Sequence, residues 1–213
     1  MKKRWITALT LVLVFALAAG CQAVDVVLSD SPKAFDKILR AYPELLTGEE
    51  DGYYLLSVDG ATELRFSKDY TATGGEDILI VTPLAPFTDA GLDLGKLDAG
   101  YRADEANLYV SGDYGDAPAQ SQPAAALLQS AQNDRKALSY HGELDHYGIG
   151  LAHGKFEYAK EHEKNDKDIV FVLLADPLEQ RGVDVEKVEG WVYMEMDDMS
   201  GGALRVLLKP YTL

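Results

Sequence analysis

The chain has 213 residues, of which 47% are hydrophobic and 26% are charged, and its formal net charge at pH 7 is −15. These proportions are typical of a globular protein with one domain or two small ones, and they exclude an intrinsically disordered chain. The acidic balance also argues against nucleic-acid binding, which requires a basic face, and against adsorption to anionic lipid headgroups.

The N-terminus carries the most specific local pattern. A positive segment, Lys2 to Arg4, is followed by an apolar run of about a dozen residues and by small residues that precede Cys21. The run is shorter than the roughly 17–25 residues of a membrane-spanning helix and is typical of a signal peptide. Its ending, LAAGC, resembles the lipobox of bacterial lipoproteins, with Ala18 where leucine is most usual.

The resemblance implies that residues 1–20 are removed and that Cys21 then carries a diacylglycerol and an N-acyl chain. Several acyl chains hold a protein firmly on a bilayer. We therefore expect a lipid-anchored cell-envelope protein that faces outside the cytoplasm, on the outer membrane if the cell is Gram-negative. An ordinary secreted protein is the alternative, but Cys21 is the only cysteine, and a free thiol is a liability in an oxidising compartment. Cleavage removes three positive charges, which takes the net charge from −15 to −18.

Residues 21–30 are predicted to form a tether that leads out of the lipid. Ser31 and Pro32 are a helix start signal with Ser31 as the N-cap residue, and Pro43 ends this predicted helix. The other predicted elements of the first half are a loop at 47–52, strands at 53–58 and 64–67 around an Asp-Gly turn, a buried strand at 78–81, a single helical turn at 93–97 capped by Asp93, and a hairpin from 100 to 110.

A stretch of the first half recurs in the second half. Residues 77–101 (DILIVTPLAPFTDAGLDLGKLDAGY) align with residues 168–191 (DIVFVLLADPLEQRGVDVEKVEGW) when Ala99 is skipped, and eight of the 24 pairs are identical. The identical pairs include Gly91 with Gly182 and Asp93 with Asp184. Their presence in both copies indicates a structural duty, and the repeat indicates a tandem duplication.

Residues 113–123 (DYGDAPAQSQP) lack apolar periodicity and are predicted to be a linker. The element order then repeats as a helix at 124–136, a strand at 139–152, a turn at 153–154, strands at 155–160 and 169–174, a turn at 177–190, and a hairpin of 191–196 with 203–208. This order predicts an α+β fold with mainly antiparallel strands. The predicted boundaries are 1–20 for the signal peptide, 21–30 for the tether, 31–112 for repeat 1, 113–123 for the linker and 124–213 for repeat 2. We expect the repeats to pack about a pseudo-two-fold axis, through their helices or as one continuous sheet.

All four histidines lie in the second half, and the first half has no counterpart to any of them. A two-residue turn at 153–154 joins two strands in a register in which Asp145 faces His162. In the same register, His146 faces Glu161. Imidazole and carboxylate groups are ligands that Zn²⁺ and similar ions accept. The candidate ligand or metal residues are His141, Glu143, Asp145, His146 and His162.

Two other interpretations of this segment stay open. The polar end of a long hairpin is commonly solvated, and exposed cross-strand His–Asp pairs contribute only about 0.2–1 kcal/mol each. Acid–base catalysis is the other. Against a metal site, the spacing of the histidines matches no known metal signature such as HExxH. Nucleophilic catalysis and nucleotide binding have no support, since the chain has no G-x-S-x-G, G-x-G-x-x-G or P-loop motif.

The sequence therefore favours a non-enzymatic, lipid-anchored envelope protein with a binding or scaffolding role. Its partner is expected to be a protein, a peptide or a cation, besides the membrane that holds the lipid on Cys21. The alternative is a metal-binding lipoprotein or metal-dependent hydrolase that uses a divalent metal ion at the segment from His141 to His162.

Overall fold

A computed structural model describes residues 30–42, 46–50, 52–57, 60–67, 78–112, 138–163, 167–195 and 202–207. The predictions for the signal peptide, Cys21, the tether up to residue 29, the linker and the helix at 124–136 lie outside these residues. None of the helices in the described ranges combines the length and apolar character needed to cross a bilayer.

Apart from the helix that opens the first half, the described parts of the two halves contain the same series of elements. The first half consists of α1 (Ser31–Ala41), β1 (Leu46–Glu50), β2 (Tyr53–Ser57), β3 (Glu63–Ser67), β4 (Ile78–Pro83), α2 (Ala85–Asp89), a 3-10 turn (Leu94–Lys96), β5 (Tyr101–Ala103) and β6 (Asn107–Gly112). The second half consists of β7 (Leu138–His141), β8 (His146–Gly150), β9 (Gly154–Ala159), β10 (Ile169–Leu174), α3 (Ala175–Glu179), a 3-10 turn (Val185–Lys187), β11 (Val192–Glu195) and β12 (Gly202–Leu207).

The strands form two separate six-stranded sheets with one topology. The first sheet has the order β1-β2-β3-β4-β6-β5, and the second has the order β7-β8-β9-β10-β12-β11. All neighbouring strands are antiparallel. Each strand of the second sheet occupies the position of the strand six places earlier in the chain. The predicted α+β fold and tandem duplication are confirmed, and the alternative of one continuous sheet is wrong for the described strands.

The apolar runs of β4 and β10 lie near the middle of each sheet and are buried on both faces, as predicted. Their inward side chains, such as Ile80 and Phe171, belong to one hydrophobic core that contains residues from both halves. Their outward side chains, such as Val81 and Val172, belong to smaller clusters on the outer faces. Because the main core is shared, the burial of each half depends on the other.

The two halves meet most closely at Gly91 and Gly182. The amide of Asp93 donates a hydrogen bond to the carbonyl of Arg181 over 2.8 Å, and the amide of Asp184 donates to the carbonyl of Ala90 over 2.7 Å. The donors are equivalent positions of the repeat, and so are the acceptors. Such a reciprocal pair is the contact that a local two-fold axis generates.

Glycine is required at both positions for two reasons. The φ angles are 104° at Gly91 and 92° at Gly182, a region that residues with a Cβ rarely adopt. A Cβ on Gly91 would also lie 2.6 Å from the carbonyl oxygen of Gly182, and a Cβ on Gly182 would lie 2.8 Å from that of Gly91. The repeated glycine therefore has the structural duty that the sequence indicated.

Helix α1 precedes the first sheet in the chain but packs on the second sheet. The ring of Phe35 contacts Phe156 and Tyr158 of β9, with centroid separations of 6.2 and 5.2 Å. Ser31 Oγ shares a 2.5 Å hydrogen bond with the Tyr158 hydroxyl. The predicted N-cap role of Ser31 is wrong, since the helix begins at Ser31 and Asp30 holds the cap position without a side-chain hydrogen bond. The serine hydroxyl is used for a tertiary contact instead.

Two predicted elements differ from the structure. The predicted loop at 47–52 contains strand β1, and the predicted single strand at 139–152 is the pair β7 and β8, joined by a turn at 142–145. Between β8 and β9, Tyr147 pairs with Tyr158, so paired residue numbers add up to 305 rather than 307. The register differs by two because residues 151–153 separate these strands, and Leu151 N donates to Gly154 O there.

Substitution of Gly182 by alanine is predicted to destabilise the fold by about 2–4 kcal/mol, since backbone strain and a steric clash act together. Gly190→Ala is the matched control, because Gly190 has a φ of 83° but nothing within 4 Å of its Cβ position. That control is expected to cost only about 1–2 kcal/mol. Urea denaturation measures both values, and equal losses in the two variants would contradict the close contact at Gly91.

Candidate functional site

The hairpin that opens the second sheet has a longer turn than its counterpart in the first sheet. In the first half Glu50 pairs with Tyr53, which leaves a two-residue turn. In the second half His141 pairs with His146, which leaves the four-residue turn 142–145. Asp145 has a φ of 53°, a left-handed conformation that aspartate tolerates better than most residues.

This longer turn forms one wall of a cavity of about 180 Å³, which we call the hairpin pocket. The opposite wall is the chain that leaves β9, where the amide of Lys160 donates to the carbonyl of Asp145 over 2.9 Å. The start of β10 closes the third side. The residues that line the hairpin pocket are Leu144, Asp145, His146, Ala159, Glu161, Glu163, Lys167 and Asp168.

The imidazole of His146 is the least satisfied polar group of the hairpin pocket. His146 is 6% exposed, and its Nδ1 atom is buried and has no hydrogen-bond partner among the described residues. Burial lowers the pKa of His146, although the carboxylates of Glu157, Asp145 and Asp168 act in the opposite direction. The ring is therefore neutral at neutral pH. Leaving a buried polar atom unpaired costs about 1–3 kcal/mol.

The carboxylates around His146 differ in how far they are engaged. Asp168 is 1% exposed and accepts hydrogen bonds from the Tyr42 hydroxyl and, over 3.1 Å, from the amide of Glu163. Its duty is structural, because it connects the end of α1 to the segment before β10. Asp145 and Glu161 are 55% and 64% exposed and lie at the rim, where solvent reaches them.

The structure brings only two of the five predicted site residues to this pocket. Asp145 and His146 line it, whereas Glu143 is exposed in the turn. His141 lies on the outer face of the sheet, and His162 follows β9 with its Nδ1 buried and unpaired among the described residues. Within the described ranges no three His, Cys, Asp or Glu side chains converge to hold a metal ion. A metal site in this segment stays a prediction from the sequence.

His141 belongs to a charged cluster on the outer face of β9. Its Nε2 atom lies 3.3 Å from Lys155 Nζ and 3.8 Å from Glu157 Oε1. Lys155 Nζ also lies 2.8 Å from Glu157 Oε1, an ion pair without hydrogen-bond geometry. The Glu157 carboxylate is 1% exposed, and neither of its oxygens accepts a hydrogen bond from a described residue.

The first half carries the same ion pair with its charges exchanged. Glu63 and Arg65 hold the equivalent positions on β3, and Arg65 Nη2 lies 2.5 Å from Glu63 Oε1. A pair kept in both copies with opposite polarity supports the packing of the outer face and gives no indication of catalysis.

A second cluster of polar groups lies where the halves meet. Asp98 accepts a hydrogen bond from Arg181 and lies 3.0 Å from His153 Nε2. The ring of Tyr101 stacks on His153 with centroids 4.6 Å apart, and the Arg181 guanidinium lies 5.1 Å above the same ring. The sequence did not single out this cluster. The one signal in the sequence is that Arg181 aligns with Ala90, so the two copies of the repeat differ at a position where the halves meet.

The charges of this cluster determine the titration of Asp98. Its slight burial raises the pKa, but the hydrogen bonds from His153 and Gly100, together with the charges of His153 and Arg181, outweigh burial and hold the pKa below its usual range. The ionised carboxylate therefore stabilises the folded chain above the ordinary carboxyl range. That contribution is lost as the pH falls through the lowered pKa.

The variant Asp98→Asn is accordingly predicted to lose less stability than the parent chain on acidification. We expect the difference between the urea midpoints at about pH 6 and about pH 3 to be smaller in Asp98→Asn than in the parent. The effect is small because the side chain is half exposed. Asp89→Asn, on the exposed face of α2, is the control for the removal of one surface carboxylate. An Asp98→Asn variant with the full acid sensitivity of the parent would contradict this assignment.

Comparison of the chain with models of known protein families, with curated proteins and with solved structures found no significant match.

Proposed function

We propose that the chain is a lipid-anchored cell-envelope protein that acts by binding a partner or ligand through its second half. The observation that carries the binding role is the asymmetry of the duplicated scaffold. Both halves share one topology, but the second half has the longer hairpin turn and, beside it, a pocket lined by His146, whose buried Nδ1 has no hydrogen-bond partner among the described residues. A feature added to one copy of a repeated scaffold is a candidate for function, because the scaffold itself does not require it.

The pocket composition supports recognition rather than covalent chemistry. Its lining consists of carboxylates, one lysine, the His146 imidazole and the aliphatic side chains of Leu144 and Ala159. Such a lining offers charge, hydrogen bonds and apolar contact, and none of these residues is a hydroxyl or thiol nucleophile. Binding sites with a few convergent polar groups and an apolar wall have this character.

The position of α1 supports a pocket held close to the membrane. Ser31 lies ten positions after the proposed lipid on Cys21, and a chain of that length spans at most about 36 Å. Ser31 contacts Tyr158 of β9, and Lys37 of the same helix donates to both carboxylate oxygens of Glu161 at the pocket rim, each over 2.8 Å. The lipid anchor and the hairpin pocket are therefore connected through one short helix.

The variant Cys21→Ser is predicted to lose lipidation and membrane retention when the full chain is expressed in a bacterium that processes lipoproteins. Incorporation of radiolabelled palmitate and the share of protein in the membrane fraction measure the two effects. Ala23→Ser is the matched control, since it places a serine in the tether but keeps the cysteine, and it should behave as the parent. A Cys21→Ser chain that is still labelled and membrane-bound would overturn the anchor proposal.

A further inference from the structure

We propose that strand β11, at the edge of the second sheet, binds an extended segment of a partner protein in which basic and apolar residues alternate. The segment adds to the sheet as a further strand. The inference rests on the proposed binding role of the second half, and it names a surface other than the hairpin pocket. The β7–β8 hairpin and β11 lie at opposite edges of the sheet.

Strand β11 has a neighbouring strand on one side only. It is the last strand in the order of the sheet, and within the described residues it pairs with β12 alone, from Val192 opposite Arg205 to Glu195 opposite Gly202. In an antiparallel pair, every second residue directs its amide and its carbonyl away from the partner strand. The open side of β11 therefore offers donors and acceptors with which another extended chain can pair.

Two apolar side chains of β11 are exposed beside this open backbone. Val192 is 54% exposed and Met194 is 45% exposed, and Leu94 and Leu144 are the other large apolar side chains that the described surface exposes. Because alternate residues of a strand point to the same face, Val192 and Met194 form an apolar strip, which continues the face of the buried Ala203 on β12. Apolar side chains of an added strand would cover this strip.

The corresponding edge of the first sheet carries charged residues at these positions. When the alignment of the repeats is continued by three residues, Arg102 aligns with Val192. Asp104 aligns with Met194, and the strand pairing of β5 and β11 agrees with this alignment. Arg102 lies 4.4 Å above the ring of Tyr109, and Asp104 accepts hydrogen bonds from the hydroxyl of Tyr109 and from two backbone amides. Charged edge residues oppose the addition of strands, and the second half lacks this protection.

The charges near β11 favour a basic partner over a second copy of the chain. Four exposed carboxylates surround Tyr193, which points away from the apolar strip: Glu195, Glu179, Glu186 and Asp176. Desolvation and the negative charges of these groups raise the pKa of Tyr193. None of the four forms an ion pair with a described residue, and the neighbouring Lys187 donates to Asp184 instead. A second copy of β11 would bring like charges together, whereas basic side chains of a partner strand would neutralise them.

Fluorescence anisotropy with the full chain in detergent tests the proposal. The probe is a short labelled peptide in which lysine and valine alternate. One control peptide has glutamate in place of lysine, and the other has alternate backbone amides methylated. We expect both controls to bind at least about tenfold more weakly than the probe, since the first reverses the charge and the second removes the N–H donors of strand pairing. Hydrogen exchange should show that the probe protects amides of residues 192–195.

Variants assign the binding to this edge. Val192→Lys and Met194→Lys place a charge on the apolar strip, and each is expected to weaken binding of the lysine peptide about tenfold. Leu94→Lys is the matched control, because it adds the same charge at an apolar residue of the first half that is 49% exposed. It should stay within about twofold of the parent. Glu195→Gln is expected to weaken binding about two- to fivefold through the loss of one exposed carboxylate.

The proposal is wrong if the lysine peptide does not bind at millimolar concentration, if the methylated analogue binds equally well, or if Val192→Lys and Met194→Lys leave binding unchanged. Binding that is lost in Asp145→Asn but kept in the β11 variants would overturn it by assigning the peptide to the hairpin pocket.

A dimer of the free chain that light scattering detects and that Met194→Lys dissociates would also overturn the proposal, because it would assign the edge to a second copy. None of these results affects the lipid anchor, since palmitate labelling and membrane retention of the Cys21 variants are measured without peptide. Failure of the edge proposal is thus distinguishable from failure of the anchor and from binding at the hairpin pocket.

Discussion

The architecture depends on the backbone contact between Gly91 and Gly182. Two glycines with positive φ let the chains of the two halves approach to a distance that any Cβ would prevent. The reciprocal hydrogen bonds between equivalent positions then fix the halves in a two-fold arrangement. Because the main core is shared by both sheets, this arrangement decides which apolar side chains face each other. The repeated 24-residue stretch supplies one side of this contact in each half.

Helix α1 connects the first half of the chain to the second sheet. It belongs to the first half in the chain but covers the second sheet through Phe35, and Tyr42 at its end binds the buried Asp168. Helix α1 therefore brings its charged residues close to the hairpin formed by β7 and β8. Lys37 reaches Glu161 in this way, so the position of α1 shapes the rim of the hairpin pocket. The packing that stabilises the fold therefore also shapes the candidate site.

Features that both halves share and features that only one half has need different explanations in this chain. Features found in both halves, such as the glycine contact and the charge-exchanged pairs on β3 and β9, are explained by packing alone. Features found in one half need another explanation. Arg181 and its partners strengthen the contact between the halves on one side only. The four-residue turn before His146 forms one wall of a cavity, and the corresponding turn of the first half has only two residues.

The sequence by itself determined the duplication, the α+β class, the buried strands β4 and β10 and the sharp turns at Gly91 and Gly182, because these follow from local periodicity and from residue types that only certain backbones accept. It also directed attention to the histidine-bearing hairpin. Only the tertiary structure decided the register of β8 with β9, the docking of α1 on the second sheet, the use of Ser31 outside a cap and the burial of His146. Each of these depends on which distant segments pack together, and a two-residue change in one turn is enough to alter the partners of every residue along a strand.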